Sequence, residues 1–192
     1  LDTKVVTSNA VSFTMAPRIN AAGRLGGASS AARMFLTDDP QEASTLAEHL
    51  CNLNHRRQEE ENGIYEQIMA RLKAQPELTR GKTMLLWGDD WHNGVIGIVS
   101  SRLSDRYGVP CLLVSMTGDV GKGSGRSIKG LNLVEALADS RDLLARFGGH
   151  ELAAGLTVRR KDIPAFRKRI NEYAAALLTE EMTAVRYEAD AV

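Results

Sequence analysis

Residues 37–76, "TDDPQEASTLAEHLCNLNHRRQEEENGIYEQIMARLKAQP", constrain the fold more than any other stretch. Apolar side chains recur at Ala43, Leu46, Ala47, Leu50, Leu53, Ile64, Ile68 and Leu72, spaced by threes and fours except across "NHRRQEEENG". That spacing predicts one amphipathic helix ending near Gln75, before Pro76. Asp39 suits the N-cap, Pro40 the first helical position, and Glu42 can complete a capping box. Such a helix would be roughly 50 Å long at about 1.5 Å per residue, too long to lie on one small core. Its polar middle is expected to cross solvent between two domains, with Gly63 as a weak point.

The 192 residues are 43% hydrophobic, enough for one or two modest cores and far from the composition of a disordered chain. No apolar run nears the roughly 20 residues that span a bilayer, and "LDTKVVTSNA" lacks the layout of a secretory signal. A cytoplasmic setting and no membrane partner are expected. Cys51 and Cys111 read as buried thiols in separate segments, neither a disulfide nor a zinc pair. Net charge is zero, with 24 Lys and Arg against 24 Asp and Glu, so bulk charge does not point to a nucleic acid. Its distribution does: residues 141–170 hold eight basic side chains against three acidic ones. Any polyanion surface belongs in the second half, unless those charges only solvate a terminal helix.

Before the long helix, Val11, Phe13 and Met15 alternate as in a half-buried strand. "RINAAGRLGG" then reads as a loop, and a short helix with Met34, Phe35 and Leu36 on its core side follows. After it, "TMLLWG", "HNGVIGIVSSRLSDRY" and "VPCLLVS" form a β–α–β pattern that argues for an α/β layer with parallel pairing. The glycine-rich "TGDVGKGSGRSIKG" interrupts that layer. "NLVEALADSRDLLARF" looks helical and "LAAGLTV" like a strand. "DIPAFRKRINEYAAALL" reads as an amphipathic helix with Ile163, Phe166, Ile170, Tyr173 and Leu177 inward. The tail from Thr179 returns to strand-like alternation.

Four stretches have chemistry to offer. In "GKGSGRS", the glycines let successive N–H groups form an anion-binding nest, and Arg126 adds a fork matched to phosphate oxygens; a flexible hairpin with a surface arginine explains them equally. In "FGGHELAAG", His150 can pair with a phosphate when protonated, or be held by packing. "GDDWHNGVIG" presents Asp89, Asp90 and His92, readable as a metal site, as a helix start, or as a helix N-terminus facing a phosphate. "APRINAAGR" places Arg18, Asn20 and Arg24 in one loop, suited to phosphate contact or to a structural arginine pair. No S-x-x-K, G-x-S-x-G, H-E-x-x-H or paired-cysteine motif supplies a reaction centre.

Taken together and in this order, "APRINAAGRLG", "LNHRRQEEE", "WHNGVIGIVSSRL", "GSGRS" and "GGHELAAG" resemble the RecJ family of DHH phosphoesterases, over about residues 11–158. The resemblance implies an α/β fold: a central mixed sheet with flanking helices, preceded by the linking helix and a small remnant of a catalytic domain. The implied division is 1–38 for that remnant, 39–76 for the helix, 82–178 for a DHH-associated substrate-binding domain, and 179–192 for the start of a further domain or linker. It implies a 5′–3′ single-stranded-DNA exonuclease of repair and recombination, using Mn2+ or Mg2+ held by Asp and His motifs upstream of Val11. On that reading this chain holds no metal and is inactive alone, and its partners are single-stranded DNA, an upstream catalytic domain and a downstream OB-fold. The positions carried over as phosphate contacts are Arg18, Asn20, Arg24, Gly123, Ser124, Gly125, Arg126, Ser127, Gly148, Gly149 and His150. Two other readings stay open: a stand-alone nucleotide- or nucleic-acid-binding module, and a relative acting on short oligonucleotides or cyclic dinucleotides.

Overall fold

The structure, a computed structural model, describes residues 6–184. The chain divides into two compact units, one up to Asn62 and one from Gly63 onward. In the first, the Thr7 hydroxyl accepts the Ala10 N–H (3.2 Å), and α1 (Ser8–Ala10) runs through a π-helical turn at Val11–Met15 into α2 (Ala16–Leu25). The expected strand at Val11, Phe13 and Met15 is therefore helical, and so is the expected loop "RINAAGRL". Alanine is the strongest helix former, and Pro17 sits in the first turn, where its missing N–H costs nothing. Gly26, at φ +92°, ends the helix.

Helix α3 (Ala28–Leu36) buries Ala31 against Ala21, Ala22, Leu50 and Leu53, with Met34 packed beside them. Phe35 and Leu36 do not join that core; they are 63% and 81% exposed. Three consecutive helical positions sweep about 200°, so one face cannot hold them all. The long helix α4 runs Pro40–Ala74 without a break. Asp39 Oδ1 accepts the Gln41 N–H (2.9 Å), the expected cap. Glu42 does not complete the capping box: its carboxylate takes the Thr37 hydroxyl and Arg33 instead. Cys51 is exposed rather than buried, its sulfur accepting from Arg18 Nε (3.3 Å), while Cys111 is buried.

The second unit is built on a five-stranded sheet of order β1-β2-β3-β5-β4. The continuous apolar runs of β1 (Met84–Asp89) and β2 (Cys111–Thr117) pair in parallel, joined by α5 (Ile96–Tyr107). β3 (Val120–Arg126), β5 (Ala153–Arg159) and β4 (Leu144–His150) complete the sheet antiparallel. "VGKGSGR" is thus a strand with neighbours on both sides, not an interruption. The expected long helix over "NLVEALADSRDLLARF" stops early: α6 is Leu133–Asp139, followed by a 3-10 turn and β4.

One sheet face packs on α6 and on α7 (Ile163–Leu177) through Leu112, Val114, Met116, Ala154, Leu156, Val158, Leu137, Phe166 and Ile170. On α7 the buried stripe is Ile163, Phe166, Ile170 and Ala174, the 3.6-residue period; Leu177 is 48% exposed and Leu178, just past the helix, is buried instead. The other face meets α5 over β2 and β3, and Ser100 Oγ donates to the Cys111 carbonyl of β2 (2.6 Å). The C-terminal part of α4 also belongs here: Gln67 accepts from Trp91 Nε1 (3.0 Å), and Arg71 donates to the Trp87 carbonyl (2.9 Å) and lies over its ring. The expected terminal strand begins instead as a short helix, α8 (Glu180–Thr183), and its remainder falls outside the described residues.

Candidate functional site

Side chains alternate across a strand, and β3 uses the two sides differently. Gly121, Gly123 and Gly125 face the α6–α7 core, which occupies the space where their Cβ atoms would stand. A Cβ at Gly123 would lie 2.8 Å from Leu156 Cγ, and one at Gly125 2.8 Å from Leu133 Cδ2. None of the three has a positive φ. The expected anion nest is therefore not formed; these glycines let the core close over the strand. Lys122, Ser124 and Arg126 face the opposite way.

The sheet register carries that second face outward. Arg126 aligns with Ala153 of β5, and Ala153 with His150 of β4. Ser124 aligns with Gly155 and then Gly148, and Lys122 with Thr157 and then Arg146. Arg126 and His150 thus share a face, two strand spacings or about 10 Å apart. These three rows contain no acidic residue. Gly148, His150, Gly155, Lys122 and Arg146 are exposed, and Ser124, Arg126, Ala153 and Thr157 half-buried.

The start of α5 borders the same face. A Cβ at Gly97 would stand 2.8 Å from Ser124 Oγ and 3.1 Å from Arg126 Nη2, so the bare glycine lets the helix approach without displacing either side chain. Two motifs distant in sequence, "HNGVIG" and "GSGRS", therefore meet. Arg126 Nη1 donates to the Gly125 carbonyl (2.8 Å) and to Ser124 Oγ (3.3 Å), which fixes the guanidinium and leaves the serine its own proton to donate. The His150 side chain has no hydrogen-bond partner among the described residues, while its backbone pairs with Ala153 in the sheet. Behind it Gly149 holds φ +151°, and a Cβ there would collide with the Ala153 carbonyl and the Ala154 backbone.

Other expected contacts are placed differently. Ser127 follows Arg126 and so points to the other side, where its hydroxyl donates to the Leu131 carbonyl (2.8 Å). A phosphate only accepts hydrogen bonds, and that donor is already committed. His92 serves the helix start: its Nδ1 accepts the Gly94 N–H (3.1 Å), and its carbonyl accepts the Val95 and Ile96 N–H groups. Asp89 pairs with Arg160, and Asp90 takes a positive φ of 58° in the turn. Among the described residues no three His, Cys, Asp or Glu side chains converge in a metal-binding group.

Arg18, Asn20 and Arg24 do not share a loop. On α2 they split: Arg18 turns inward to the Thr14 carbonyl and Cys51, while Asn20 and Arg24, one turn apart, are both exposed. They belong to the first unit and the sheet residues to the second. Sequence reasoning missed Lys122, Thr157 and Arg146. The signal for the two cations is the two-residue period Lys122, Ser124, Arg126 and Arg146, Gly148, His150, hidden because glycine-rich stretches read as loops.

Residues 78–176 match the DHHA1 domain family. The chain is 39% identical over 173 residues to the single-stranded-DNA-specific exonuclease RecJ of Bacillus subtilis, a match covering 89% of this chain and 22% of that protein. RecJ of Thermus thermophilus in complex with Mn2+ superposes with a TM-score of 0.78 at 42% identity, covering 87% of this chain and 24% of that one. The same protein in complex with Mg2+ gives the same TM-score and identity, with 26% of its chain covered. The chain thus spans about a quarter of the length of these relatives. The match to 78–176 covers more than half of the chain, with the mixed sheet and flanking helices expected of it, and on that ground the protein belongs to the DHHA1 domain family.

Proposed function

We propose that this chain grips the sugar–phosphate backbone of single-stranded DNA for a 5′–3′ single-strand-specific exonuclease of DNA repair and recombination. The observation that carries the reading is the acid-free row Arg126–Ala153–His150 with Ser124 beside it, in a chain similar to RecJ over most of its length. Arg126, the Ser124 hydroxyl and a ring N–H of His150 are all donors, and phosphate oxygens are acceptors, so the row complements a phosphodiester and ignores the bases. Asn20 and Arg24, on the first unit, carry donors of the same chemical kind. Contacts of this kind give affinity without sequence preference, as an enzyme that degrades any single strand requires.

The relatives' crystals contain Mn2+ or Mg2+, and such an ion when bound supplies an activated water for phosphodiester hydrolysis. The described residues do not fit it, since they bring no set of ligands together. The part of this chain is to bind and orient the strand. Hydrolysis belongs to an upstream catalytic domain, and a downstream OB-fold shares the strand, in a cytoplasmic protein. The test is to incubate the purified chain with Mn2+ and a labelled single strand while measuring binding by fluorescence anisotropy. Micromolar or better binding without cleavage is expected. Robust cleavage would place a reaction centre in this chain, and absence of binding would remove the backbone-gripping role.

A further inference from the structure

The Arg126 row is one end of a larger cradle. Two rows away on the same face, Lys122 of β3 and Arg146 of β4 stand opposite each other across Thr157. Four residues along a strand is about 14 Å, and two strand spacings about 10 Å, so Arg126, His150, Lys122 and Arg146 occupy the corners of a rectangle of that size. Lys122 and Arg146 have no ion-pair partner among the described residues, whereas Arg57, Arg160 and Arg169 each pair with an acid.

The floor between the corners is Ser124, Gly155 and Gly148, and neither glycine is explained by the fold. A Cβ at Gly148 would meet nothing within 4 Å, and one at Gly155 only the Gly123 carbonyl at 3.7 Å. Neither has a positive φ. They contrast with Gly97, Gly123, Gly125 and Gly149, where an added Cβ would come within 3 Å of a neighbouring atom. Glycine in a strand interior weakens it, so two glycines opposite each other with no packing or backbone reason suggest that something else approaches this floor closely.

We infer that Lys122 and Arg146 form a second backbone-binding rung, and that one DNA strand lies along the cradle from Arg126 and His150 to Lys122 and Arg146 over the bare Gly148–Gly155 floor. This rests on the single-strand reading above. The partner is argued from charge: three permanent cations and a histidine, no acid, no apolar side chain larger than Ala153 on the three rows. A stacked strand at about 3.4 Å per nucleotide would place at most about four phosphates in the cradle, an extended one fewer.

The length of the cradle sets the test. A dinucleotide held at Arg126 does not reach the second rung, while a ten-nucleotide strand does. In the full 192-residue chain, the K122A/R146A double variant is expected to bind the ten-nucleotide strand roughly ten-fold more weakly. Its log K against log salt slope should be lower by about 1.4, at about 0.7 for each phosphate no longer neutralised. Dinucleotide affinity should not change. Gly148→Thr adds a side chain where nothing obstructs it, so the fold and melting temperature should hold while both ligands bind more weakly. If R126A weakens binding but K122A/R146A leaves the long-strand slope unchanged, the second rung is overturned and the first reading stands. Wild-type affinity in Gly148→Thr equally overturns the floor. If the unaltered chain binds neither ligand, both readings fail together.

Discussion

Removal of the Arg126 side chain tests the proposed grip most directly. The guanidinium is half-buried beside the first turn of α5, and Nη1 is held by the Gly125 carbonyl and Ser124 Oγ, so little rotamer freedom is left to lose on binding. A charge-assisted hydrogen bond contributes about 1.5 to 3 kcal/mol, which corresponds to a loss of roughly 10- to 150-fold in affinity. Arg126→Ala should show a loss in that range for a 5′-phosphorylated single strand, measured by anisotropy at fixed, moderate salt. Arg126→Lys keeps the charge but not the planar fork and should recover only part of it. A melting curve serves as the control for folding. Unchanged affinity in a folded Arg126→Ala chain would refute the assignment.

Gly97→Ala should reproduce part of the Arg126 loss without touching a charge, because the new Cβ would press on Ser124 Oγ and Arg126 Nη2; wild-type binding by the folded variant would show that the pair tolerates displacement. Burial pushes the Cys111 thiol up to about 12, from an ordinary value of 9.0. In native protein at pH 8 a thiol reagent should therefore modify Cys51 alone, and both cysteines in denaturant. The same shift means that the unfolded chain gives up a proton the folded chain keeps, so this group's contribution to stability is intact below about pH 9 and lost as pH rises toward 12, as alkaline melting curves should show. Phe13, Phe35 and Leu36 are 78%, 63% and 81% exposed, so the chain should bind an apolar dye and self-associate with rising concentration; Phe35→Ser with Leu36→Ser should reduce both, read by fluorescence and sedimentation.

Where local pattern and tertiary packing agree, the fold is legible in the sequence. The apolar spacing predicts a long helix ending near Gln75, and the helix ends at Ala74, because that spacing runs on either side of a polar middle and a capped start leaves few alternatives. The parallel β1–α5–β2 unit is equally readable from two short apolar runs around a helical period. Val11–Met15 misleads because a five-residue alternation also fits a helix, and the flanking alanines and Thr7 cap decide the matter. β4 escapes a sequence reading because "LARFGGH" lacks the β-branched residues that mark a strand; its pairing with β5 holds it in place.

The candidate site divides along the same line. Residue types alone identify Arg126 and His150 as donors suited to phosphate and tie them to a family through ordered motifs. They do not reveal that the glycines of "GKGSGRS" face a core, that the Ser127 hydroxyl is committed, or that Arg18 turns away from Asn20 and Arg24. Those facts depend on which side of a strand or helix each residue occupies. The sequence by itself determined the chemistry available and the long helix, since composition and periodicity are local properties. Only the tertiary structure decided which donors share a surface, because sheet register aligns β3, β5 and β4, and a shift of one residue would turn Arg126 or His150 to the opposite face.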